Sequence, residues 1–167
     1  MHNPQSCASC EKLDCTMSYA SKKKDDGAAI TSYMLDDVWP EYAAYIDREL
    51  QNNDQLLVPG MLGYAFFSRY RWSQSVKHIG TACTLARHLA MRRVVRQSGA
   101  VRQSCYQLHD RAIALMLAQQ IDYRARHIVV YQNYLPWLAQ SGVLGGRSYD
   151  VLMTRYPLKL LHARLDN

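Results

Sequence analysis

Cys7, Cys10 and Cys15 stand near the start of the chain at C-x2-C-x4-C spacing, the arrangement in which residue type and interval come nearest to a metal site. A two-residue interval brings the sulfurs of Cys7 and Cys10 to one side of a turn, where thiolates bind zinc, and Cys15 can supply a third ligand. His2 is the nearest source of a fourth, and a partner domain or second chain is the other. The same residues also read as flexible thiols or as a redox-sensitive pair. The total of five cysteines is odd and does not suit a disulfide framework, which points to a reducing compartment. Cys83 and Cys105 fall on apolar helical stripes and read as small core residues.

The other chemistry-bearing residues form no recognised catalytic pattern. The sequence has no G-x-S-x-G, no G-x-x-x-x-G-K-[ST], no H-E-x-x-H and no G-x-G-x-x-G, so acyl transfer, P-loop and zincin chemistries have no support. Leu144-Gly145-Gly146-Arg147 reads as a helix stop rather than a phosphate cradle. His78, His88 and His109 fall in expected helices, and His127 and His162 have no carboxylate partner by spacing. The cluster Tyr64, Phe66, Phe67, Tyr70 and Trp72, beside Arg69 and Arg71, suits a helix entry packed on the core, with stacking on bases or sugars as the other reading.

Charge is unevenly divided. Residues 1–54 hold ten acids against five bases, and residues 55–167 hold four acids against fifteen bases. The densest basic stretch runs from Arg69 to Arg126 and includes Arg87, Arg92, Arg93, Arg96 and Arg102. Such a surface attracts phosphate, whether in a nucleotide sugar, a nucleic acid or a lipid headgroup, or else is a solvated helix face. No apolar run is long enough to span a bilayer and the N-terminus lacks the pattern of a signal peptide, so a cytoplasmic location is expected.

The elements that would position these groups follow from periodicity. Residues 1–32 read as a Cys-rich tail and polar linker, and residues 33–167 as an incomplete Rossmann-like α/β domain. Trp39-Pro40 opens a short helix carrying Tyr42, Ile46 and Leu50, and Leu56-Leu57-Val58 before Pro59-Gly60 fits a buried strand. Trp72, Val76, Ile79, Cys83, Ala86, Ala90 and Val94 trace one helical stripe, which leaves Arg87 largely off the apolar face. Val101, Cys105, Leu108, Ala112 and Leu115 trace a second, with Ser98-Gly99 as the break between them. His127 to Tyr131 is an apolar, β-branched run typical of a buried parallel strand. Asn133 and Pro136 then suit a helix start, Gly142 its end, and Tyr149 to Thr154 a second strand. Strand, helix, strand, helix in succession predicts a doubly wound parallel sheet, with ligands bound at the carboxyl ends of its strands. Gln132, Asn133, Thr154 and Arg155 occupy those ends.

The segments His127 to Leu138 and Gly142 to Leu158, the closing Leu161-His162-Ala163-Arg164-Leu165-Asp166 and the early cysteines resemble the N-terminal half of bacterial glycosyltransferases of the two-Rossmann GT-B type. The resemblance implies an acceptor-recognising domain that faces a donor-binding half across a cleft. It further implies a nucleotide-sugar donor and an acceptor as ligands, no sugar transfer by this piece alone, and Arg155 available to a phosphate or carboxylate. Two other classes fit the residues: a small zinc-dependent nucleic-acid-binding or regulatory protein, and a non-catalytic interaction domain.

Overall fold

The structure is a computed structural model that describes residues 29–36, 39–60 and 77–154. Their elements are β1 (Ile30–Met34), α1 (Pro40–Glu49), β2 (Gln55–Pro59), β3 (Lys77–Ile79), α2 (Thr81–Val94), α3 (Gly99–Ala118), β4 (Ala125–Tyr131), α4 (Leu135–Ser141) and β5 (Ser148–Leu152). The five strands form one sheet of order β3-β2-β1-β4-β5, and every neighbouring pair is parallel. This is the α/β, Rossmann-like arrangement expected from the sequence, in the strand order 3-2-1-4-5.

Central strands of such a sheet are covered on both faces, which is why β2 and β4 carry the unbroken apolar runs Leu56-Leu57-Val58 and Ile128-Val129-Val130-Tyr131. Met34, Leu57, Val58, Ile128 and Val130 are completely buried. Tyr42 and Ile46 of α1, Ile113 and Leu117 of α3, and Leu138 of α4 complete the core. Each such side chain contributes roughly 1.5–3 kcal/mol by leaving water. Tyr42, Tyr131 and Tyr134 form a run of edge-to-face rings, with centroids 5.8 and 5.1 Å apart. At the amino ends of the strands Gln55 acts as a clip. It accepts from Ser32 Oγ at 2.8 Å and from the Asp122 amide at 3.0 Å, and donates to the Gln120 carbonyl at 2.8 Å.

Local sequence sets the boundaries. Pro40 opens α1, Pro136 lies in the first turn of α4, and Gly142 ends α4 in the left-handed region at φ 76°. Gly80, at φ 74°, separates β3 from α2. Three expectations are corrected here. The sheet begins at Ile30, inside the stretch read as tail and linker. Ile79 belongs to a strand, so the first long helix starts at Thr81 and not upstream. Cys105 does not join the core, whereas Cys83, partly buried, does pack against it as expected; both are free thiols. Cys7, Cys10, Cys15, Tyr64, Phe66, Phe67, Tyr70, Trp72, Val76, Arg155 and His162 lie outside the described residues.

Candidate functional site at the switch point

The chain passes from β3, on one flank of β1, through α2 and α3 to β4 on the other. The connections on either side of β1 and β4 diverge, and a crevice opens at the carboxyl ends of those strands. A cleft of about 680 Å³ lies there. Asp36 enters it from the end of β1, Arg87 and Met91 from α2, Gln103, Tyr106, Gln107 and Asp110 from α3, and Gln132 and Asn133 from the end of β4. Trp39, Tyr131, Pro136, Trp137 and Thr154 complete the lining.

Arg87 is the centre of the site. Its Nη1 donates to Asp36 Oδ2 at 2.7 Å and its Nη2 to Asp36 Oδ1 at 3.0 Å, a bidentate pair. The same Nη1 lies 3.8 Å from Asp110 Oδ1. Asn133 Nδ2 donates to Asp110 Oδ2 at 3.2 Å. Two carboxylates therefore share one guanidinium in a mostly buried setting. Burial raises the Asp110 carboxyl to about 6, and the Asp36 charge adds to the rise, while Arg87 and the Asn133 hydrogen bond oppose it. His109, beside this cluster on α3, is pushed down by burial and by the Arg87 charge. Tyr134 is completely buried next to the triad, and burial followed by the Asp36 charge raises its hydroxyl well above the ordinary phenol range. Arg87 pulls that value back by its charge and by its side-chain donor, yet among the described residues the hydroxyl has no partner in good hydrogen-bonding geometry.

The sequence reading placed Gln132, Asn133 and Thr154 at strand ends, and all of them line this cleft. Gln132 Nε2 donates to Thr154 Oγ1 at 3.1 Å, which joins the ends of β4 and β5. Sequence reasoning missed Asp36, Asp110 and the inward position of Arg87. The expectation that Arg87 lies off the packed face is corrected: its side chain is only 12% exposed, since the acid it meets comes from another element. The other arginines of the stretch, Arg92, Arg93, Arg96 and Arg102, are exposed.

His127 also has a carboxylate partner that spacing could not show. Its Nε2 lies 3.2 Å from Asp150 Oδ2 across the β4–β5 pair, and its Nδ1 lies 2.8 Å from Ser148 Oγ. This contact sits toward the amino ends of the strands, away from the cleft, with Asp150 open to solvent. Among the described residues no group of three or more His, Cys, Asp or Glu side chains is arranged to hold a metal ion. Among the same residues no helix is long and apolar enough to cross a membrane. Compared with family models, with curated proteins and with solved structures, the chain matches none.

Proposed function

We propose that this chain is the acceptor-side domain of a glycosyltransferase of the two-Rossmann type, with the switch-point cleft as its acceptor site and a nucleotide-sugar donor held by a second domain. The lining of the cleft is the observation that carries this reading. Aromatic rings at Trp39, Tyr106 and Trp137 stand beside planar hydrogen-bonding groups at Gln103, Gln107, Gln132 and Asn133. Rings stack on the apolar faces of a sugar, and amides engage adjacent hydroxyls in pairs. A glycine-rich phosphate cradle is lacking in the sequence, which favours the acceptor over the donor at this position. Asp110, with its carboxyl at about 6, is largely ionised at neutral pH and sits at the cleft wall where it can take a proton from an acceptor hydroxyl.

Titration calorimetry with a panel of free mono- and disaccharides, nucleotides and nucleotide sugars tests the reading. Saturable binding of a sugar, weakened in Tyr106→Ala and Asn133→Ala with the fold unchanged, is the expected result. A cleft that takes nucleotides and ignores every free sugar would make it a donor site and defeat the assignment.

A further inference from the structure

The outer faces of α2 and α3 do not serve the cleft. On α2 Arg87 and Met91 line the site and Cys83 packs on the core, whereas Leu85, Leu89 and Arg92 recur at four- and three-residue steps on the opposite face, with Arg96 just past the end of the helix. On α3, Gln103, Gln107 and Asp110 line the cleft, and Val101 and Leu108, one heptad apart, do not. Leu85, Leu89, Val95, Val101 and Leu108 are between 38% and 65% exposed, and α2 has no buried residue at all. Arg92, Arg93, Arg96 and Arg102 are exposed among them. No aspartate or glutamate occurs between Gln55 and His109, and Asp110, the acid on the hairpin, lines the cleft beside Arg87.

We propose that the α2–α3 hairpin seats the protein on an anionic phospholipid bilayer. Aliphatic side chains interleaved with arginines suit the boundary between headgroups and acyl chains, where the first enter the hydrocarbon and the second meet phosphate. A nucleic-acid backbone would satisfy the arginines and leave the leucines and valines in water. A protein partner would favour an apolar centre with a polar rim, whereas here the two kinds of residue alternate along the chain. The binding is peripheral, since no described helix is of spanning type. It is independent of the sugar reading, because vesicle binding and sugar binding are measured separately.

Flotation of the full chain with vesicles decides the matter, using phosphatidylcholine alone and phosphatidylcholine mixed with phosphatidylglycerol. The protein is expected to float with the anionic vesicles only, and less as salt rises. Arg92→Gln with Arg96→Gln should weaken partitioning by about 25-fold, at about fivefold per arginine. Leu85→Ser with Leu89→Ser should weaken it by about tenfold or more while circular dichroism stays unchanged. The proposal is overturned by equal or absent flotation with both vesicle types, or by variants that float like the parent. Capture by a DNA or RNA duplex in place of vesicles, or a dimer that hides Leu85 and Leu89, overturns it too.

Discussion

Arg87 and Asp36 are 51 positions apart in the chain and meet through two hydrogen bonds of 2.7 and 3.0 Å, with side chains only 12% and 5% exposed. Their pairing fastens α2 to the end of β1 and at the same time furnishes a wall of the switch-point cleft. Removing one partner of a buried pair leaves the other charge without compensation. Arg87→Ala should therefore lower the unfolding free energy by about 3–5 kcal/mol in urea titration. The exposed Arg92→Ala should stay within about 0.5 kcal/mol of the parent. Similar small losses for both would mean that water reaches the Arg87 guanidinium freely.

Asp110 gives the protein a pH dependence of stability with a definite sign. Its carboxyl stands at about 6 in the fold against an ordinary 3.8, so the folded chain holds a proton that the unfolded chain has released. The associated stability is complete below the ordinary value and is lost as pH rises through about 6. The loss amounts to no more than about 3 kcal/mol at 1.36 kcal/mol per pH unit. Asp110→Asn should flatten the curve between about pH 4 and 7 and make the variant more stable than the parent at about pH 8. Unchanged curvature in the variant would assign the dependence elsewhere.

Among the described residues Tyr134 buries a hydroxyl with no partner in good hydrogen-bonding geometry, Arg87 being the nearest donor. Such a group costs desolvation without return, so Tyr134→Phe should be neutral or stabilising by up to about 1 kcal/mol. Tyr134→Ala, which empties the ring's place beside Tyr131, should cost about 3–5 kcal/mol. A clear destabilisation by the phenylalanine would reveal a bond from the Arg87 side.

Two glycines should respond in opposite directions. At Gly80 the backbone has φ 74° and an added Cβ would meet the Met116 methyl, so Gly80→Ala should cost about 1–2 kcal/mol. Gly99 opens α3 with nothing within 4 Å of an added Cβ, and Gly99→Ala should stabilise by about 0.4–1 kcal/mol. Thermal melts of the pair check both signs at once.

Local pattern was sufficient for some elements and silent on others. The run Ile128 to Tyr131 is buried on both faces, so its composition alone marks β4, and the left-handed Gly142 marks the end of α4. In β1 the residues Thr31 and Ser32 read as linker because the groups that satisfy them are distant: Asp54 accepts from the Thr31 amide and Gln55 from the Ser32 hydroxyl. Only three residues long, β3 carries no period, and the stripe Ile79, Cys83 ran through Gly80, the residue that breaks it. The strand-end rule found Gln132, Asn133 and Thr154. It did not find Asp36 or Asp110, although Asp36 follows an apolar stretch and Asp110 ends a long region without acids. Helical spacing placed Arg87 outward because a single-chain period contains no information about a carboxylate on another strand.

Among the described helices α2 has no fully buried residue, and its mostly buried Arg87 is what ties it to the end of β1. The amides of β1, β2 and β4 should exchange with deuterium only when the whole sheet comes apart, whereas those of α2 can exchange through a sub-global opening in which the helix swings off α3 and the end of β1. Such an opening breaks the Asp36–Arg87 pair and removes one side of the cleft in the same event. The shape of the cavity is then set jointly by the packing of α2 along α3 and by a directional ionic latch to Asp36, and any ligand that bridges α2 and α3 would slow exchange along the entire helix.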